Sequence, residues 1–96
     1  MAHRTITRAR LDKYFLITAE ALAKVKDSPH CAERREQASD FLDMAQRYYD
    51  DARHFDKKGD MVLAFAALNY AHGWLDAGAR IGLFKVKDSR LFTVDD

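Results

Sequence analysis

The segment "LNYAHGWLDAGARIG" is almost free of charge except for His72, Asp76 and Arg80, four residues apart, with Asn69 one turn earlier. On a helix this spacing makes one stripe, so His72 can reach Asp76 and Asp76 can reach Arg80. Two kinds of chemistry suit such a file. An aspartate that orients a histidine creates a base or a metal ligand. Alternatively, Asp76 is a hub that neutralises Arg80 and satisfies polar groups of a neighbouring helix. Asp43 and Arg47 decide between them if a tight hairpin brings them level with Asp76 and His72. The result is a cross-helix ladder, Asp43 with Arg80 and Arg47 with Asp76, which fixes register more than it adds stability. The expectation is therefore a polar helix-packing network of Asp43, Arg47, Asn69, His72, Asp76 and Arg80, with no catalytic residue.

A second constellation pairs Asp50 with His54 and His72 with Asp76, carboxylate–histidine pairs of the kind that project inward in metal-binding bundles. The same register leaves His54 and His72 about 10 Å apart along the axis. Ligands of one ion all lie about 2 Å from it, so no metal site and no cofactor are expected. A third group is basic. Arg4, Arg8 and Arg10 open the chain and Lys85, Lys87 and Arg90 lie near its end. These are the candidate nucleic-acid contacts, although such residues more often form a solvated face. No glycine-rich phosphate loop, nucleophile elbow or paired-cysteine motif occurs.

The elements that must carry these residues follow from composition and period. Ninety-six residues, 48% apolar and 32% charged, make a single domain over 1–96. Four glycines and one proline speak against a turn-rich β fold. A formal charge of +1 supplies no global field toward nucleic acid or an acidic membrane. The longest apolar run, Met61 to Leu68, is eight residues, whereas a membrane span needs roughly 20. With no signal-like apolar core and a lone Cys31, the chain reads as cytoplasmic.

Three helices account for most of it. The first is predicted over about 6–26, with Thr7, Leu11, Tyr14, Thr18, Leu22 and Val25 on one stripe, ending before Pro29. The second is predicted over about 32–58, where Ala38, Phe41, Ala45, Tyr48, Ala52 and Phe55 alternate small and aromatic residues. Gly59 can close it in the left-handed conformation and Asp60 can cap the third helix, predicted over about 61–81. Two adjacent caps leave almost no loop, so these helices form an antiparallel hairpin. Ala64, Leu68, Ala71, Leu75 and Gly78 form its inner face, and Gly73 and Gly78 let helices approach closely. Apolar residues on its other faces call for cover from the first helix, the tail or a second subunit. The tail, 83–96, changes to a strand-like period and is expected as a docked extended strap or a small hairpin. The fold class is all-α, a three-helix up-down-up antiparallel bundle.

Tyr48, Ala52, Phe55, Gly59-Asp60, Ala64, Leu68 and Ala71 resemble one tetratricopeptide-type hairpin over about 24 residues. The following proline and any second copy are missing. Over a longer span, "YYDDARHFDKKGD", "AFAALNYAHGWLDAGARIGLF" and "RLFTV" are similar to an archaeal family of short helical proteins, domain of unknown function 357. The resemblance implies the three-helix bundle and an archaeal source, and it brings no activity with it. Arg47 and His54, six residues between them, resemble the arginine–histidine spacing of HEPN-type ribonucleases. Two function classes follow. The first is a non-enzymatic interaction or adaptor module whose partner is another protein or a second copy of itself. The second is an RNA-associated protein, either a passive binder or a HEPN-like ribonuclease.

Overall fold

The computed structural model describes residues 5–94. Three helices, α1 (Arg8–Asp27), α2 (Arg35–Lys57) and α3 (Met61–Arg80), run up, down and up, and a 3-10 turn, Ala32–Arg34, leads into α2. No strand forms among the described residues. The bundle measures 43 × 26 × 19 Å.

Each helix end has a local cause. Thr7 accepts the Arg10 amide at 3.1 Å and starts α1. At its other end the Ser28 hydroxyl donates to the Val25 carbonyl at 2.8 Å, and Pro29 prevents continuation. α2 closes on Gly59 at φ +83°, with the Asp60 amide bonded back to Phe55 and the Gly59 amide to Asp56. Asp60 then accepts the Leu63 amide at 3.0 Å and starts α3. The reversal therefore takes three residues, Lys58, Gly59 and Asp60, one more than the two adjacent caps alone. The same closure recurs at Gly82, φ +81°, where Leu83 bonds back to Gly78. The predicted helices were slightly long. α1 begins two residues later because Thr7 is its cap, and residues 32–34 wind as a tighter 3-10 turn before α2.

α3 packs most extensively on α2 and next on α1. On α2 the contact is made by Ala38, Ala45 and Ala52, all fully buried at a seven-residue interval. Their small side chains let the two backbones run close together, while Phe41, Tyr48 and Phe55 flank the seam half-buried. On α3 the inner face is Ala64, Leu68, Ala71, Leu75 and Gly78, all buried. α1 contributes Leu11, Thr18, Ala21, Leu22 and Val25. Thr7 and Tyr14 extend this stripe in sequence only, since Thr7 is exposed at the cap and Tyr14 is half-buried edge-on to Phe65.

After α3 the chain folds back as a strap rather than a hairpin. Phe84 makes a single antiparallel bridge with His30, and Lys85 and Cys31 complete the backbone pairing with Pro29 and Leu83. Leu83, Phe84, Leu91 and Phe92 are all buried in the cluster formed by Ala21, Leu22, Val25, Leu75 and Ala79. The strap therefore supplies a substantial part of the core at that end of the bundle. Gly78 makes this arrangement possible. A methyl group in its place would overlap the Phe84 ring, with Cδ2 only 2.8 Å away. Gly78 thus admits an aromatic ring from the strap rather than another helix. Gly73 brings no helix close either, because a methyl there would meet no atom within 4 Å.

Candidate functional site

The polar file on α3 does not make the expected ladder. Asp43 and Arg47 are exposed on α2 and pair with each other at 2.9 Å. They stand two residues either side of Ala45, which faces α3, and two residues turn a helix about 200°. Both therefore point away from α3, although they are level with His72 and Asp76. His72 instead donates from Nε2 to the Leu91 carbonyl at 2.5 Å, its ring 6.4 Å from that of Phe92. Asp76 accepts both the Thr93 amide and the Thr93 hydroxyl, the latter at 2.7 Å. Both half-buried side chains fasten the strap. Asn69 and Arg80 are exposed. Arg80 borders the shallow depression between α3 and the strap, and Asn69 faces a different groove. His72 thus commits Nε2 to a backbone carbonyl of the strap, and its ring lines the same depression as Asp76 and Arg80.

Ion pairs hold the strap from the other side. Lys24 meets Asp88 at 2.9 Å, and Arg90 grips Glu20 while also approaching Asp88 at 3.4 Å. The Arg90 guanidinium holds the Glu20 carboxyl below the usual range, and Lys24 does the same for Asp88. At the opposite end of the bundle, Arg8 binds Asp56 through two hydrogen bonds, 2.6 and 3.0 Å, and also meets Asp12. This fork ties the start of α1 to the end of α2 and lowers the pKa of Asp56.

The cations named from sequence do not gather into one patch. Arg8 and Arg90 are engaged by carboxylates. Glu20, which holds Arg90, stands twelve residues along α1 from Arg8, about 18 Å. Lys85 and Lys87 are exposed beside one depression that Glu20, Asp27 and Asp88 also line, Arg10 is exposed on α1, and Arg4 lies outside the described residues. Arg47 is paired with Asp43, and His54 is an exposed residue whose ring lies 6.1 Å from that of Phe55. Among the described residues, no three His, Cys, Asp or Glu side chains converge in a way that could hold a metal ion.

The outstanding surface feature is apolar. Among the described residues five large hydrophobic side chains are exposed: Leu16, Val62, Leu63, Tyr70 and Ile81. Four of the five belong to α3 or its C-cap, and at 100° per residue they fall within about 100° of one another around the axis. Exposed Ala66, Gly73 and Ala77 fill the gaps between them. No charged residue interrupts α3 between Asp60 and Asp76. Two ring pairs border this face where α2 meets it, Tyr48 stacked on Tyr70 and Phe41 edge-on to Trp74, both with centroids 5.0 Å apart. They brace an open groove of about 540 Å³ lined by Phe41, Asn69, Tyr70, Gly73, Trp74 and Ala77. Sequence pattern alone showed apolar residues all round α3 but did not show which face stays bare. Laying out their angular positions against the inner Ala64–Leu68–Leu75 face would have found it.

No helix among the described residues is long and apolar enough to cross a membrane, so lipid does not explain this face as a span. In comparison with known families, the model of a protein of unknown function (DUF357) matches residues 13–84 of the 96. No curated protein and no solved structure matches the chain.

Proposed function

We propose, on the premise that the chain belongs to the protein family of unknown function DUF357, that it is a non-enzymatic interaction module that binds protein through the bare face of α3. One observation carries this reading: four of the five exposed large hydrophobics lie on that single face. Isolated exposed leucines are ordinary on a soluble protein, whereas a contiguous apolar patch marks a surface that is covered in use. The aromatic composition agrees, because Tyr and Trp provide large contact area with little rotamer entropy to lose. Of the polar file of α3, by contrast, His72 and Asp76 are engaged in fastening the strap.

The RNA reading has less support. Arg8 and Arg90, its strongest candidates, are occupied by carboxylates, and the bare face offers no cation at its centre to neutralise phosphate. The test is affinity capture from the native host, with the full chain and a Tyr70→Glu variant side by side. Proteins recovered by the native chain and lost from the variant support the reading. Identical protein recoveries with co-purifying RNA that disappears on Lys87→Glu would replace it with the RNA alternative.

A further inference from the structure

We infer that the partner of this face is a second copy of the same chain, its α3 lying antiparallel against the first about a two-fold axis. The inference rests on the reading above and adds the occupant and the register. A two-fold contact must be self-complementary, with residue i on one copy meeting j on the other and j meeting i. The stripe has that property about a midpoint between Ala71 and His72. Antiparallel pairing there sets Val62 against Ile81, Ala66 against Ala77 and Tyr70 against Gly73, each twice. Large meets small at the centre and medium meets medium at the ends. A parallel pairing would set Tyr70 on Tyr70 and leave the two Gly73 notches facing each other.

Gly73 supplies the second argument. Glycine inside a helix is unfavourable unless its missing side chain makes room for something. Gly78 makes room for Phe84, but nothing in its own chain lies within 4 Å of the side-chain position at Gly73. That position opens onto the groove walled by Tyr70, Trp74 and Ala77. The two-fold register delivers the Tyr70 ring of the second copy into this groove.

Charge and size agree. Asp60 and Arg80 stand near opposite ends of α3. The antiparallel register sets Arg80 of one copy against Leu63 of the other, about one turn from the second copy's Asp60, and it opposes the two helix dipoles. From Val62 to Ile81 the stripe is about 28 Å long. At a helix diameter of about 10–12 Å the stripe alone buries on the order of 600–700 Å² in total, and the flanking rings of Phe41, Tyr48 and Trp74 bring the contact toward the roughly 1,000 Å² lower bound of a specific interface. Such a contact gives a dimer in the micromolar range rather than a permanent one.

Sedimentation velocity of the full chain, from low micromolar to several hundred micromolar, should show a concentration-dependent shift from 11.0 kDa to twice that mass. Gly73→Leu fills the notch, where the first side-chain carbon meets nothing within 4 Å, and should weaken association by about tenfold or more. Ala66→Glu and Ala77→Lys should each leave the chain monomeric, with helical circular dichroism unchanged because both positions are exposed. An equal mixture of those two variants should recover the dimer, because the register places glutamate opposite lysine. A native chain that stays monomeric throughout overturns the proposal. So does an equal mixture that fails to associate while the native chain does, since another register is then in use. If the native chain is monomeric yet the Tyr70→Glu variant loses a different protein in the capture experiment, the interaction-module reading stands and self-pairing falls.

Discussion

Two glycines stand five residues apart on α3 and meet opposite surroundings. At Gly78 the missing side chain is replaced by the Phe84 ring of the strap, and at Gly73 it is replaced by solvent. The same contrast holds for the two sides of the helix that they serve. On the strap side every large group is covered, and His72 and Asp76 are bonded to the backbone that covers them. On the other side Val62, Leu63, Tyr70 and Ile81 remain exposed. A helix so apolar needs cover on both sides, and the strap provides it on one.

That contrast can be broken by truncating the ring that fills the first notch. Phe84→Ala should lower unfolding free energy by about 3–5 kcal/mol, read from urea denaturation, because Phe84 is among the largest fully buried side chains. A loss below 1 kcal/mol would mean that the strap is not part of the core. The two glycines give the sharper comparison. Gly78→Ala should destabilise the chain by about 1–3 kcal/mol through overlap with Phe84. Gly73→Ala should leave the monomer unharmed or more stable by about 0.5–1 kcal/mol, since alanine is the better helix former. The smallest effect concerns acid. Glu20 and Asp88 both have pKa values lowered by the cations that hold the strap. A carboxylate depressed in the folded state contributes stability that is fully present above its unfolded pKa and is lost as pH falls through the folded value. Acidification below about pH 4 should therefore loosen the strap, with protection of the Leu91 and Phe92 amides from hydrogen exchange falling before that of α2. Glu20→Gln should flatten that dependence, and equal protection in both regions at every pH would dissociate the strap from these ion pairs.

How much was legible in the sequence differs between backbone and side chains. The hairpin turn was readable because Gly59 and Asp60 each act locally, one through a left-handed φ and the other through a cap. The inner face of α3 was readable because its spacing repeats over about four turns. The charge ladder was misread for a simple reason. Level along the axis was used to match Asp43 and Arg47 with α3, whereas their angular distance from Ala45 turns them outward. The role of His72 and Asp76 depended on a partner some twenty residues away in a segment without helical period. No pattern in the sequence specifies that Leu91 and Thr93 return to meet them, and strap and hairpin were equally compatible with alternating residues. Gly73 and Gly78 look alike in sequence, and their difference lies wholly in what the fold brings to each.

Trp74 is the single tryptophan of the chain, half-buried and edge-on to Phe41 at the border of the open groove. Its indole therefore carries a label-free optical signal at the place where occupancy is in question. Anything that excludes water from that groove shifts the emission to shorter wavelength, and because Trp74 also packs against the cluster that holds Leu83 and Phe84, undocking of the strap shifts it the other way.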